Sequence, residues 1–231
     1  MRHGALSAST VGSYQRIIHA NEVHTMIKTL VILGSGGHTS EMIRLLDELD
    51  SERYLSNLVY IVADSDNTSL PRLEEHLKAK TTPTTTQLDA SSSYEVYQLP
   101  RAREVHQSYL SSIYTTLRSI VSTYTLLRNV QPDLIIANGP GTCVPVLYVA
   151  CVLRWLSYSI SFLFPSSSKT TLSSFQQCKM IFVESVCRVK TLSLSGRLVY
   201  PIVDLFIVHW PYLRDNGYPL AELSDVFIRS A

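Results

Sequence analysis

Twice in this chain a short, continuously apolar run ends in a glycine cluster and gives way to helical spacing. Residues 26–33 (MIKTLVIL) run into Gly34-Ser35-Gly36-Gly37-His38-Thr39, and residues 133–137 (DLIIA) into Asn138-Gly139-Pro140-Gly141-Thr142. An apolar run without alternation is the mark of a strand covered on both faces. Further candidate strands stand at 57–63, 94–99, 179–183 and 204–208. Between them lie stretches with helical spacing. One starts at Thr39, with Thr39 or Ser40 as its cap and Met42, Leu45, Leu46 and Leu49 on one face. Others are expected over 71–79, over 107–130, and from about 145 into the 150s. Strands that alternate with helices predict an α/β fold, a Rossmann-like open parallel sheet with helices on both faces.

A length of 231 residues leaves room for one such domain, expected over 27–213. Residues 1–26 read as a poorly ordered lead without an apolar run, so neither a secretory signal nor a membrane span is expected there. The Thr- and Ser-rich stretch at about 80–93 and the polar stretch within 157–177 read as flexible loops, and 214–231 as a tail. Lys and Arg number 20 against 19 Asp and Glu, a balance that gives nucleic acid no electrostatic hold. Cys143, Cys151, Cys178 and Cys187 form no C-x-x-C pair and sit near no histidine cluster, so reduced thiols and no metal are expected.

In open α/β sheets, ligands bind beyond the carboxyl ends of the strands. Both glycine clusters occupy that position. Glycine lets backbone approach a ligand closely, and the helix that follows points free N–H groups and its positive dipole end at the same place. The fitting ligand is an anion, above all a phosphate. Two such loops in one small domain suggest two sets of donors on one diphosphate. The alternative is a pair of unrelated tight turns. His38 is a candidate catalytic residue that protonates or hydrogen-bonds a phosphate, or else it just holds its loop. Glu184, at the end of the 179–183 strand, is a candidate general base or hydroxyl-orienting group; equally, it caps the next helix or pairs with Arg188. Ser185 and Arg188 beside it, and Arg101 and Arg103 after the 94–99 strand, are candidate acceptor contacts. A dinucleotide site is the rival reading, with Asp64 or Asp66 on a ribose, but Thr39 stands where the third glycine of G-x-G-x-x-G belongs.

Residues 146–164 form the most apolar stretch. On a helix there, Ala150, Arg154, Ser157 and Ser161 share a stripe, and Val149, Val152, Leu153, Leu156 and Ile160 cover much of the rest. An arginine at a bilayer centre costs about 2.5–3.5 kcal/mol. The expectation is therefore a helix lying in a membrane interface, with Leu153, Leu156 and Phe162 toward lipid; the alternative is that part of the same face packs on the sheet.

Four stretches occur in a telling order: GSGGHTSEM (34–42), PRAREV (100–105), PDLIIANGPGTCVP (132–145) and FVESVCRVKTLSLSG (182–196). In that order they resemble the asparagine-linked glycosylation protein 14 family. Its members are the acceptor-side, membrane-anchoring subunits of the heterodimeric UDP-N-acetylglucosamine transferase of dolichol-linked oligosaccharide synthesis. The resemblance covers roughly 27–213. It implies a fold like the amino-terminal half of a GT-B glycosyltransferase, such as the bacterial enzyme that makes lipid II. It implies that the two glycine loops face the diphosphate of dolichyl diphosphate GlcNAc. Glu184 falls where the bacterial relative also has a carboxylate near its cleft. The resemblance further implies that this chain binds no cofactor and is not an enzyme on its own. The donor UDP-GlcNAc would sit mainly on a partner chain of the asparagine-linked glycosylation protein 13 family, and the inverting, β1,4-forming transfer would run on the cytosolic face of the endoplasmic reticulum membrane. The amino-terminal membrane helix usual in the family has no counterpart in residues 1–26, and 157–177 is expanded by a Ser-rich stretch. Two other classes compete: a nucleotide-dependent oxidoreductase, and a scaffold that recruits the partner without touching acceptor.

Overall fold

The computed structural model describes residues 27–49, 57–80, 94–101, 109–139, 141–163 and 172–224. The expected lead, most of the 80–93 loop, Arg103 and Pro140 lie outside them.

Seven strands form one all-parallel sheet: β1 (Lys28–Ile32), β2 (Asn57–Ala63), β3 (Glu95–Leu99), β4 (Leu134–Asn138), β5 (Lys179–Val183), β6 (Leu205–Val208) and β7 (Ala221–Leu223). Among the described residues, six α-helices connect them: α1 (Gly37–Asp47), α2 (Ser69–Lys80), α3 (Tyr109–Val130), α4 (Cys143–Leu163), α5 (Leu194–Val199) and α6 (Pro211–Asp215). The spatial order is β3-β2-β1-β4-β5-β6-β7. The chain winds outward from β1 to β3, then returns to lay β4 on the other side of β1. That reversal is the switch point where open α/β sheets bind ligands, and the strands flanking it are the two that end in glycine clusters.

Successive strand residues point to opposite faces, so each apolar strand feeds two cores. Leu30 and Ile32 of β1 pack with Leu127 of α3 and Val146, Leu147 and Ala150 of α4. Val31 and Leu33 pack on the other face with Met42 and Leu46 of α1 and Leu73 of α2. β7, a strand of only three residues, pairs with β6 inside the segment expected as a tail.

Two expectations about helices are corrected. α1 begins at Gly37, not Thr39, and has no side-chain cap; Gly36 precedes it at φ 69°, in the left-handed region. Thr39 is fully buried, and its hydroxyl turns inward to the Gly34 carbonyl and to Ser69 Oγ. α4 runs on to Leu163, and it alone among the described residues is long and apolar enough to cross a membrane. Most of its polar stripe faces the protein: Ala150 and Ser157 are buried, and Arg154 donates to Asp204 Oδ2 at 2.6 Å and to the Cys178 carbonyl at 3.3 Å, while Ser161 at the far end is exposed. Leu153, expected toward lipid, is core. The outward face carries Val152, Trp155 and Phe162, the last 85% exposed.

Candidate functional site

The loops after β1 and β4 interlock at the switch point. Gly139 sits at φ 58°, and a Cβ added there would lie 2.3 Å from Cε1 and 2.5 Å from Nδ1 of the His38 ring. The imidazole is thus seated on the bare backbone of the second loop, and only glycine leaves room for it. From the strand end beside it, Asn138 Nδ2 donates to the His38 carbonyl at 3.1 Å and to Glu41 Oε2 at 3.3 Å. Asn138 Oδ1 is buried without a hydrogen-bond partner among the described residues. A Cβ on Gly36, Gly37 or Gly141 would meet nothing within 4 Å, so the faces of both loops away from the interlock are open. Ser35 is exposed there, Gly34 is buried beneath it, and Thr142 is buried at the entry to α4.

A hydroxyl network props the first loop from below. Thr39 Oγ1 and Ser69 Oγ lie 2.6 Å apart and both engage the Gly34 carbonyl. Ser69 also donates to Asp66, whose other oxygen accepts from the Thr68 and Ser69 N–H groups at the start of α2. Burial would raise the Asp66 pKa, but these donors outweigh it and hold the carboxyl below its ordinary range. Asp66, a candidate ribose contact in the dinucleotide reading, is thus occupied as a cap. Arg72 reaches back from α2 to the Gly36 carbonyl at 2.6 Å.

Glu184 is 1% exposed and fully engaged by its own chain. Oε1 accepts from the Ser185 N–H at 3.1 Å; Oε2 accepts from the Ser193 N–H at 2.9 Å and the Ser193 hydroxyl at 3.0 Å. Ser193 Oγ in turn accepts the Gly196 N–H at 2.9 Å and so caps α5. Gly196 permits this approach: a Cβ there would stand 2.2 Å from Glu184 Oε2. In the structure the carboxylate is a tether for residues 185–196, and Arg188 is exposed instead of pairing with it. Cys143 lies buried below, its thiol pushed up first by burial and then by the charge of Glu184.

Ser185 joins the loop cluster, donating to Glu41 Oε1 at 2.9 Å. Arg101 is half-buried after β3, at the far edge of the sheet and two strands from β1. The structure therefore brings Gly34–Thr39, Asn138, Gly139, Gly141, Thr142 and Ser185 together, and leaves Arg101 apart.

Sequence reasoning missed Glu41. It stands one helical turn after His38, the spacing that puts two side chains on one face, and that was the available signal. Oε2 is 3.4 Å from His38 Nδ1, a close polar contact without the alignment of a hydrogen bond. Burial opposes its charge, but His38 and Ser185, aided by His209, hold the Glu41 pKa below the ordinary carboxylate value. His209, buried after β6, also has its pKa lowered, here by burial, with Glu41 opposing.

Known proteins resemble this chain in sequence or in fold. Residues 29–224 match the family described as Oligosaccharide biosynthesis protein Alg14 like. The UDP-N-acetylglucosamine transferase subunit ALG14 of Rattus norvegicus is 38% identical over 192 residues, which is 82% of this chain and 78% of the relative. The subunit of the same name from Homo sapiens is 37% identical over 195 residues, 84% and 79% of the two chains. That of Yarrowia lipolytica is 35% identical over 205 residues, 89% and 83%. Among solved structures, Acinetobacter baumannii MurG superposes on 86% of this chain with a TM-score of 0.53 at 12% identity, a likeness of fold alone. The chain spans 44% of MurG, less than half of it. The fold is a Rossmann-like open parallel sheet. The chain belongs to the Alg14 family.

Proposed function

We propose that this chain is the acceptor-side half of a two-chain UDP-GlcNAc transferase that adds the second GlcNAc to dolichyl diphosphate GlcNAc. The observation that carries the reading is the interlock of the two glycine loops across β1 and β4. Two open stretches of backbone, each leading into a helix N-terminus, converge there. Their N–H groups suit the several oxygens of one diphosphate better than they suit any neutral ligand. Relatives that bear the name UDP-N-acetylglucosamine transferase subunit support the donor and a place in a complex.

The donor sits on the other chain, a member of the asparagine-linked glycosylation protein 13 family, docked over the carboxyl edge of this sheet. Holding two substrates in register across that cleft supplies much of the acceleration. His38 is the base of choice, because its side chain is 34% exposed at the loops. Glu184 has spent its oxygens on the chain itself.

The reading places the complex on the cytosolic face of the endoplasmic reticulum membrane. α3 and α4 contain no Asp or Glu, and between them expose Tyr114, Leu117, Val121, Trp155 and Phe162. An acid-free apolar face with aromatics suits the lipid interface, and the packing of Leu147, Ala150 and Leu153 on the sheet suits a helix lying in that plane better than one crossing it. The test is a reconstituted transfer assay with this chain, the donor-binding chain or both. Turnover only with both is expected; turnover by this chain alone refutes the reading.

A further inference from the structure

Glu41 gathers the ends of three strands. Its carboxylate stands 3.4 Å from His38 Nδ1 on the β1 side and 3.3 Å from Asn138 Nδ2 at the end of β4, and accepts from Ser185 Oγ, after β5, at 2.9 Å. His209, after β6, faces it electrostatically from the fourth strand. The side chain is only 14% exposed, so its charge is kept at a desolvation cost. A neutral glutamine could tie the same three loops together by hydrogen bonds. A carboxylate adds negative charge: it accepts from the facing imidazole nitrogen more strongly than an amide oxygen does, and it balances the cation that forms when the other nitrogen takes a second proton.

His38 is arranged for that use. Nδ1 is buried with no aligned hydrogen bond, while a third of the side chain is exposed at the glycine loops. Contacts of this kind are commonly long without substrate and tighten when it binds. Gly139 blocks the ring from one side, so its facing is set by the loop and by Glu41 together.

We propose that Glu41 is a positioning residue for the transfer: it keeps the His38 proton on Nδ1 and leaves Nε2 free toward the acceptor sugar. The proposal rests on the reading of His38 as base. In the step, the acceptor O4–H bond breaks and its proton goes to Nε2. The O4–C1 bond to the donor GlcNAc forms, and the C1–O bond to phosphate breaks with its electron pair leaving on UDP. The imidazolium is neutralised by Glu41 until the proton is released to solvent.

The experiment measures kcat and acceptor KM for the full chain with its donor-binding partner, using a short-chain polyprenyl diphosphate GlcNAc. It compares wild type, Glu41→Gln and His38→Gln. A second arm reads the His38 tautomer by imidazole ¹⁵N NMR on this chain. The expected result is a fall in kcat of roughly 10²-fold in Glu41→Gln with KM little changed, and a shift from the Nδ1–H form toward Nε2–H. Wild-type kcat in Glu41→Gln, wild-type kcat in His38→Gln, or an unchanged tautomer overturns the proposal. If wild type with its partner transfers nothing, the acceptor reading fails separately, and the tautomer arm still decides what Glu41 does to His38.

Discussion

Substituting Gly139 with Ala should push His38 from its seat, and the cost can be worked from the geometry. At φ 58° a non-glycine residue costs about 1–2 kcal/mol. The new methyl carbon would stand 2.3–2.9 Å from three atoms of the imidazole, so the ring must move by more than an ångström. Overpacking of that kind costs about 1–3 kcal/mol. The sum is roughly 2–5 kcal/mol, or ~2–4 °C of melting temperature per kcal/mol for a chain of this size. With His38→Ala in the background the ring is gone and only the backbone term is left, about 1–2 kcal/mol. Urea unfolding of the wild type, both single variants and the double variant closes the cycle. The expected coupling is at least about 1 kcal/mol, with the double variant more stable than the sum of the singles predicts. Additivity within about 0.5 kcal/mol would mean that the two loops do not meet through this ring, and the interlock would fall.

Gly37→Ala and Gly141→Ala add a methyl into open space at backbone without positive φ, so melting should be unchanged. Transfer should still fall roughly tenfold or more, the scale of one lost charge-assisted hydrogen bond; full activity in both would remove the diphosphate from these loops. Glu184→Gln turns an NH₂ group onto either the Ser185 or the Ser193 N–H whichever way it rotates, and should cost about 1–3 kcal/mol of stability. Its kcat at low temperature should hold within a few-fold, and a loss of ~10² with the fold intact would instead make Glu184 the base. Stability should fall as pH drops below 6.5, because His209 is held below that ordinary value in the fold and the unfolded chain binds the extra proton. A further fall comes around and below 4.5 as Glu41, held below that value, is neutralised. Urea midpoints that stay flat from pH 7 to pH 4 would contradict both assignments. Trp155→Ser with Phe162→Ser should weaken flotation with anionic liposomes, whereas flotation equal to wild type would take α4 off the membrane.

The inner strands were legible because burial on both faces writes itself as runs of apolar sequence, as at 30–32 and 58–63. β7 was not, since AEL becomes a strand only by pairing with Phe206, Ile207 and Val208. Local signals also placed each glycine loop at a strand end, but not side by side; that follows from strand order, which no local pattern carries. α4 shows the limit of periodicity. Spacing tells which residues share a face, not where the face points, and the polar stripe turned inward because Arg154 finds Asp204, fifty positions later. Thr39 looked like a helix cap for the same reason: its partner Ser69 is 30 residues away. For Glu184 the sequence left base and cap as equals, and its donors come from Ser185 and Ser193.

The central claim is that the open backbone of the two loops holds the acceptor while another chain holds the donor. Calorimetry with this purified chain tests it most directly, titrating UDP-GlcNAc and a short-chain polyprenyl diphosphate GlcNAc separately into wild type and Gly141→Ala. The account predicts that wild type binds the diphosphate acceptor, that Gly141→Ala binds it at least about tenfold more weakly, and that neither takes up UDP-GlcNAc measurably. Tight UDP-GlcNAc binding by the isolated chain, or acceptor binding indifferent to Gly141→Ala, would contradict it.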